Sequence, residues 1–132
     1  MQKGRGTMPD GIGVLIADDR SPSRKGLRAL LTTQPGIEVV GEARDGREAV
    51  RLVEEIRPDA VLMDAKMPAM DGLTATRLIK DKWPEIKVIM LTMYGADRAA
   101  AMKAGADAFL VKGCSAEQLL RAILDCEEAE SW

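Results

Sequence analysis

Short runs of branched apolar residues alternate five times along the chain with longer stretches in which apolar residues recur at helical spacing. The short runs predict strands near residues 13–18, 37–43, 60–63, 88–91 and 108–111. Strands that alternate with helices are typical of βα units, whose strands run parallel and whose helices cover both faces of the sheet. The pattern therefore predicts an α/β domain built on a mostly parallel sheet.

The stretches between and after the strands predict five helices. They are a helix that begins near Ser21 and ends before Pro35, helices over 46–56 and 72–82, a short helix over 96–104, and a last helix that opens at Ser115. We expect Ser21 to cap the first helix, with Pro22 at its first position. Ser115 and Gln118 match a capping box. The helix over 96–104 is poor in large apolar residues, so we expect it to be lightly anchored.

Polar residues follow four of the predicted strands. They are Asp18 and Asp19 after the first strand, Asp64 after the third, Thr92 after the fourth and Lys112 after the fifth. Ligands of open parallel sheets bind beyond the carboxyl ends of the strands, so we expect these side chains to share one site. Clustered carboxylates repel one another, and a hard divalent cation such as Mg²⁺ relieves that repulsion while also accepting phosphate oxygens. The sequence therefore predicts a site for Mg²⁺ and a phosphoryl group.

Asp64 is the residue of this set that is expected to react. With its charge offset by the metal ion and by Lys112, it can attack a phosphoryl donor and form an aspartyl phosphate. Thr92 and Lys112 would then donate hydrogen bonds to the phosphoryl oxygens. The new charge would pull Thr92 inward, and Phe109 on the next strand is available to fill the vacated space. Asp71 is expected to cap the following helix rather than to bind the ligand.

Composition narrows the class of protein. The 132 residues suffice for one domain, and 46% of them are hydrophobic. The net charge of −2, with acidic and basic residues interspersed, excludes a basic surface for nucleic acid or a membrane. The absence of histidine excludes imidazole chemistry on this chain. The apolar runs are too short for a signal peptide or a membrane span, so we expect a cytoplasmic protein.

Four sequence motifs resemble those of a known family. VLIADD, VLMDAKMPAMDG, VIMLT and GADAFLVK occur in the order and spacing of the receiver domains of bacterial two-component response regulators, from about Ile12 to Asp125. The resemblance implies a CheY-like (flavodoxin-like) domain with a doubly wound, five-stranded parallel sheet in the order 2-1-3-4-5, flanked by five helices. We expect this receiver domain at residues 12–126, a disordered extension at 1–11 and a short tail at 127–132.

The resemblance also assigns the metal site. It implies Asp64 as the phosphoacceptor, Asp19 and Asp64 as direct Mg²⁺ ligands, and Asp18 as a metal partner through water. The backbone carbonyl of Lys66 corresponds to the position that completes the metal shell.

The same resemblance assigns the response to phosphorylation. Thr92 and Lys112 correspond to the pair that contacts the phosphate, and Phe109 to the aromatic residue that turns inward on activation. The phosphoryl group is expected to come from the phosphohistidine of a sensor histidine kinase. The domain is expected to catalyse only its own phosphorylation and dephosphorylation, and the face around Phe109 and the last two helices is the expected output surface.

Three further segments, GLRALL, QPGIEVVGEARDG and FLVKGCSAEQLLRAI, bring the resemblance closest to the NarL/LuxR-type branch. Receivers of this branch usually precede a helix-turn-helix domain that binds DNA and controls transcription. No such domain fits in the residues after Cys126, so we expect DNA binding only through an output domain outside this chain. The chain is then either an excised or a free-standing receiver. Homodimerisation through the output face or through the first and last helices is left open.

Several positions depart from the family pattern. Arg20 and Ser21 replace the His-Pro pair that is common after the acidic residues in this branch, which places a cation beside the metal pocket. Met93 stands where small residues are usual, so it is expected to narrow the access of phosphoryl donors. Lys66 and Tyr94 occupy variable positions that flank the acceptor, and we hypothesise that Tyr94 shields the acyl phosphate from water.

Three other interpretations share parts of the pattern. A degenerate receiver that acts as a phosphorylation-independent protein-interaction module is the main alternative, although the complete acidic, Thr and Lys set disfavours it. A flavodoxin-like cofactor binder would need a phosphate-binding loop where Asp18 and Asp19 repel phosphate. A haloacid-dehalogenase-type phosphatase would need a second Asp where this chain has Lys66.

Overall fold

The computed structural model describes residues 11–93 and 95–125, so Tyr94 and the segments 1–10 and 126–132 lie outside the described residues. The expectations for the N-terminal extension, the C-terminal tail and Tyr94 therefore stay predictions. In chain order the elements are β1 (Ile12–Ala17), α1 (Ser21–Thr32), β2 (Ile37–Ala43), α2 (Gly46–Ile56), β3 (Ala60–Met63), α3 (Gly72–Lys82), β4 (Lys87–Thr92), α4 (Arg98–Lys103), β5 (Ala108–Val111) and α5 (Ala116–Asp125).

The strands form one parallel sheet in the order β2-β1-β3-β4-β5. The chain steps outward from β1 to β2 and then returns across β1 to β3, so the strand order reverses beside β1. This confirms the doubly wound architecture, with every strand boundary within one residue of the predicted one. In sheets of this kind, ligands bind in the crevice at the carboxyl ends of the strands beside that reversal.

Two apolar layers cover the sheet. Alternate residues of a strand face opposite sides, so Leu15 and Met63 pack in the layer that contains residues of α2 and α3. Ile16 and Leu62 pack in the layer that contains residues of α1 and α5. All four side chains are at most 2% exposed, as expected for the central strands of a parallel sheet. Within the described part of the chain, no helix is long and apolar enough to cross a membrane.

Two helices begin with the caps that the sequence predicts. The backbone N–H of Thr74 donates to Asp71 Oδ1 at 2.8 Å, so Asp71 caps α3. At α5, the backbone N–H of Gln118 donates to Ser115 Oγ at 3.1 Å, and the backbone N–H of Ser115 donates to Gln118 Oε1 at 3.0 Å. The reciprocal pair confirms the capping box.

The prediction that Ser21 caps α1 is wrong. Ser21 lies inside the helix and the N-cap is Arg20, whose side chain makes no capping hydrogen bond. The backbone N–H of Arg20 donates to the Asp18 carboxylate, 2.9 Å away. The backbone carbonyl of Arg20 accepts the first hydrogen bond of the helix, from the N–H of Arg24 at 3.0 Å. The helix therefore begins one residue earlier than predicted, and Pro22 is its second residue rather than its first.

α4 is shorter than the predicted helix over 96–104. A 3₁₀ turn, Gly95–Asp97, takes its beginning, and the helix itself spans six residues. Ala101 is its buried residue. A six-residue helix that buries one alanine has little apolar contact to hold it, which confirms that this element is lightly anchored.

Candidate functional site

The ends of four neighbouring strands bring the predicted polar residues together. Asp18 follows β1, Asp64 follows β3, Thr92 ends β4 and Lys112 follows β5. The backbone N–H of Asp64 donates to the Ala17 carbonyl at 3.0 Å, and that of Lys112 donates to the Thr92 carbonyl at 2.7 Å. Sheet pairing thus continues to the residues of the site and fixes the backbone from which they project.

Three carboxylates and one ammonium form the centre of the site. Asp18, Asp19 and Asp64 each place a carboxylate oxygen within 4.8 Å of the others. Asp18 and Asp64 are 1% and 8% exposed, whereas Asp19 is exposed. The Lys112 Nζ lies 2.7 Å from Asp18 Oδ2 and 3.2 Å from Asp64 Oδ2. The one ammonium in contact with the carboxylates balances one of their three negative charges, so the cluster suits a divalent cation that prefers oxygen ligands.

Asp18 is oriented by hydrogen bonds to both of its carboxylate oxygens. Oδ1 accepts the backbone N–H of Arg20, and Oδ2 accepts the Ser23 hydroxyl at 2.6 Å together with the Lys112 ammonium. Burial alone would raise the pKa of Asp18, but the hydrogen bonds from Lys112, Ser23 and Arg20 outweigh it and hold the pKa below its usual value. Asp18 is therefore a stable anion in a fixed orientation.

Asp64 is stabilised less than Asp18. Burial raises the pKa of Asp64, and the charge of Asp18 adds to the rise, although Lys112 and a hydrogen bond from the backbone of Lys66 oppose it. Burial would lower the pKa of Lys112, but its hydrogen bonds and attraction to the two carboxylates outweigh burial and raise it. The Lys112 ammonium is therefore charged at neutral pH. Of Asp18 and Asp64, the ionised Asp64 is the carboxylate that nearby donors and positive charge stabilise less.

Thr92 and Phe109, the residues expected to respond to phosphorylation, are both buried. Thr92 is 1% exposed, and its hydroxyl donates to Asp97 Oδ2 at 3.4 Å. Phe109 is 9% exposed, and the guanidinium carbon of Arg98 lies 5.8 Å from the centre of its ring. Phe109 is therefore packed inward. Thr92 contacts the 3₁₀ turn that precedes α4, and Phe109 contacts the first residue of α4.

Two of the positions expected to tune access lie at the surface. Met93 is 54% exposed and follows Thr92 directly. The Lys66 side chain is exposed, two residues after Asp64. Tyr94, the third such position, lies outside the described residues. Met93 and Lys66 therefore both lie at the surface of the structure near the acidic cluster, as expected of positions that affect access.

Reasoning from the sequence missed two α1 residues that contact Asp18. Ser23 bonds the Asp18 carboxylate, and Arg24 Nη1 donates to the Asp18 backbone carbonyl at 2.8 Å. These residues follow Asp18 by five and six positions, so they lie in the first turns of α1. Side chains of a helix lean toward its N-terminus, and this rule would have pointed both of them at the turn that carries Asp18.

A doubly wound parallel sheet with an acidic cluster, a threonine and a lysine at the carboxyl ends of its strands defines a CheY-like receiver fold. The chain belongs to the response regulator receiver domain family, whose sequence model matches residues 14–124.

Individual relatives support this membership. The response regulator protein VraR of Staphylococcus aureus is 42% identical over 122 residues, which cover 91% of this chain and 58% of VraR. The signal receiver domain of the putative response regulator NarL from Mycobacterium tuberculosis has a TM-score of 0.85 at 30% identity, covering 92% of this chain and 100% of that one. A CheX–CheY–BeF₃–Mg²⁺ complex from Borrelia burgdorferi has a TM-score of 0.81 at 30% identity, covering 94% and 97%. The likeness to NarL confirms the branch that the sequence indicates.

Proposed function

We propose that this domain accepts a phosphoryl group on Asp64, in a Mg²⁺-dependent transfer from the phosphohistidine of a sensor histidine kinase. The observation that carries the proposal is the cluster of Asp18, Asp19 and Asp64, in which Lys112 contacts two of the three carboxylates. Receiver domains are signalling domains, and we expect no turnover beyond the domain's own phosphorylation and dephosphorylation.

The donor set fits Mg²⁺. Asp18, Asp19 and Asp64 supply hard carboxylate oxygens, and the Lys66 carbonyl is the proposed backbone ligand beside them. A structure of the related CheY contains Mg²⁺ together with BeF₃, which is used as a phosphomimetic in a related receiver domain, and this supports the pairing of metal ion and phosphoryl group here. When bound, Mg²⁺ would neutralise the carboxylates and the phosphoryl oxygens.

Asp64 provides the nucleophile. A carboxylate oxygen of Asp64 bonds to phosphorus while the phosphorus–nitrogen bond of the donor breaks, and the leaving imidazole keeps the electron pair and takes up a proton. The product is a mixed anhydride of Asp64 and phosphate. Lys112 already contacts Asp64, so its ammonium needs only a small movement to donate to a phosphoryl oxygen.

Thr92 is the proposed sensor of the phosphoryl group. Its hydroxyl shares a long hydrogen bond with Asp97, which a charged phosphoryl oxygen can replace with a stronger one. The movement would be transmitted to Phe109 and to α4, the weakly anchored helix next to it. We propose the face formed by α4, β5 and α5 as the output surface.

Access to Asp64 is proposed to depend on three neighbours. The exposed Met93 narrows the approach of donor molecules, and Lys66 and Tyr94 occupy the sequence positions that the family resemblance places beside the acceptor. Tyr94 is proposed to shield the acyl phosphate from water. Replacing Tyr94 with alanine and timing the loss of phosphate tests this role, and an unchanged lifetime would exclude it.

The wider context of the domain also remains a proposal. The chain spans 58% of the length of VraR, so the activity of the whole relative is not carried over. Likeness to NarL/LuxR-type regulators supports transcriptional control through a helix-turn-helix output domain, and it supports a cytoplasmic location. We propose the receiver domain at residues 12–126, a range that contains the family match to residues 14–124. We also propose that the domain forms a homodimer.

Intact-mass measurement tests the proposed function. The protein is incubated with acetyl phosphate and Mg²⁺, in parallel with Asp64→Asn and with a sample that contains EDTA. We expect one phosphoryl adduct on the unaltered protein and none in either control. If no adduct forms, Met93→Ala separates donor exclusion from the degenerate receiver, because opening the approach restores phosphorylation in the first case alone.

A further inference from the structure

Arg24 links the turn of Asp18 to the neighbouring strand β2. Its side chain is 14% exposed. Nη1 donates to the Asp18 backbone carbonyl at 2.8 Å, and Nε donates to Glu42 Oε1 at 3.1 Å. Glu42 lies on β2 opposite Ile16 of β1. One guanidinium thus joins α1, the β1–α1 turn and β2.

The contact with the Asp18 carbonyl bears on two residues of the acidic cluster. This carbonyl belongs to the peptide group that joins Asp18 to Asp19, so its direction affects where both side chains point. On its other side, the backbone N–H of Asp18 donates to the Ala43 carbonyl of β2 at 3.0 Å. Arg24 restrains the carbonyl side of Asp18, as β2 restrains its N–H side. Glu42 keeps the guanidinium in place through a charge-assisted hydrogen bond.

We infer that Arg24 is a positioning residue for the cation site. It holds the Asp18–Asp19 peptide in the direction that lets both carboxylates face Asp64. It touches neither the metal ion nor the phosphoryl group, and it acts through the two aspartates. The inference rests on the proposed function, since it assumes that the acidic cluster binds Mg²⁺. Groups that orient metal ligands typically change metal affinity by 10- to 100-fold when they are removed.

The charge of Arg24 allows a positioning role to be distinguished from a direct electrostatic effect on Mg²⁺ affinity. A guanidinium next to the acidic cluster repels a divalent cation, so its removal by itself should tighten Mg²⁺ binding. Loss of positioning should weaken Mg²⁺ binding. The two effects have opposite signs, and a measured affinity therefore decides between them.

Arg28 provides a matched control in the same helix. It lies four residues after Arg24 and donates through Nε to the other carboxylate oxygen of Glu42. Within the described residues, the hydrogen bonds of Arg28 go to Glu42 and none goes to Asp18. Arg28→Gln therefore removes the same charge and an ion pair to the same glutamate, but it leaves the Asp18–Asp19 peptide untouched.

Titration calorimetry with Mg²⁺ on the full chain tests the inference without any phosphorylation. We expect Arg24→Gln to bind Mg²⁺ about 10- to 100-fold more weakly than the unaltered protein, with Arg28→Gln within about threefold of it. Equal or tighter binding by folded Arg24→Gln would overturn the inference, and so would an equal loss in Arg28→Gln. Failure of the unaltered protein to bind Mg²⁺ would overturn the proposed function as well.

A second variant covers the case in which Arg24→Gln does not fold, as judged by circular dichroism. Arg24→Lys keeps the charge and most of the stem but lacks the planar fork that bonds Asp18 and Glu42 together. We expect it to fold and to bind Mg²⁺ several-fold more weakly than the unaltered protein. Unchanged affinity in Arg24→Lys would mean that a single charge suffices and that the two-way link has no positioning role.

Discussion

Asp18 and Asp64 carry the same functional group a few ångströms apart, yet their pKa values shift in opposite directions. Asp18 accepts hydrogen bonds from Lys112, Ser23 and the Arg20 backbone, which offset its burial. Asp64 is buried beside Asp18 and receives less compensation, so its pKa rises. The number of hydrogen-bond donors around each carboxylate, rather than its burial, sets the pKa of Asp18 apart from that of Asp64.

The opposite pKa shifts predict opposite stability effects in the absence of metal. The pKa of Asp64 is raised in the folded state, so its contribution to stability is present at low pH and is lost as the pH rises through the folded pKa. For Asp18 the pKa is lowered, so its contribution is present near neutrality and is lost as the pH falls through the folded pKa. In EDTA at pH 7, we expect Asp64→Asn to raise the melting temperature by about 2–5 °C.

Asp18→Asn is the control for this prediction, and we expect it to lower the stability by about 1–3 kcal/mol at pH 7. Thermal melts between pH 4 and pH 8 check both variants. The advantage of Asp64→Asn over the unaltered protein should shrink as the pH approaches about 4, the usual pKa of the unfolded carboxyl group. A stability change of the same sign for both variants would contradict this account of the cluster.

Thr76 is a buried residue outside the site whose hydroxyl finds no hydrogen-bond partner among the residues that the structure describes. It is 0% exposed within α3. A buried donor without a partner destabilises the fold by about 1–3 kcal/mol, and valine has nearly the same shape without the hydroxyl. We expect Thr76→Val to stabilise the protein by about 1 kcal/mol in urea denaturation. The exposed Thr74 in the same helix is the control, and Thr74→Val should change the stability by less than about 0.5 kcal/mol.

At the scale of elements, the beginning of α3 is pressed against the backbone of Asp64, the proposed acceptor. A Cβ at Gly72 would lie 1.9 Å from the Asp64 carbonyl oxygen. The backbone N–H of Gly72 also donates to the Ala65 carbonyl at 2.8 Å. The loop that follows Asp64 is thus clamped by the helix it leads into, and this close approach is possible because residue 72 has no side chain.

Two glycine-to-alanine changes test that clamp. Gly72→Ala forces the Asp64 backbone to move, so we expect a loss of about 1–3 kcal/mol in the free energy of unfolding. Gly26 lies inside α1 with nothing within 4 Å of its Cβ position. Gly26→Ala should therefore increase stability by about 0.5–1 kcal/mol through the higher helix propensity of alanine. Urea denaturation measures both, and a loss of stability in both variants would argue against the specific contact at Gly72.

How well the sequence predicts each element depends on the kind of interaction that decides it. The strands are predicted from apolar runs, and the α5 capping box is predicted from Ser115 and Gln118. Both predictions succeed because each depends on residues that are close together in the sequence. The start of α1 differs from the prediction by one residue because the backbone carbonyl of Arg20 accepts its first hydrogen bond, and the Arg20 side chain carries no capping signal in the sequence. The Arg24–Glu42 pair depends on how β2 lies beside β1, which no local pattern reveals.

At the scale of the whole molecule, the strand order assembles the site. Asp18, Asp64, Thr92 and Lys112 come from four chain segments, and the order β1-β3-β4-β5 makes their strand ends neighbours. The motifs and their sequence order were sufficient to predict this set. Burial, the ion pairs of Lys112 and the contact between Thr92 and Asp97 depend on packing between segments, so they emerge from the three-dimensional structure alone.

The most direct test of the central claim is to locate the phosphoryl group. After incubation with acetyl phosphate and Mg²⁺, sodium borohydride reduces an aspartyl phosphate to the alcohol, which leaves homoserine at the modified position. Peptide mass mapping then identifies that position. We expect homoserine at residue 64, and none when EDTA replaces Mg²⁺. Homoserine at Asp18 or Asp19 in place of Asp64, or modification that persists in EDTA, would contradict the central claim.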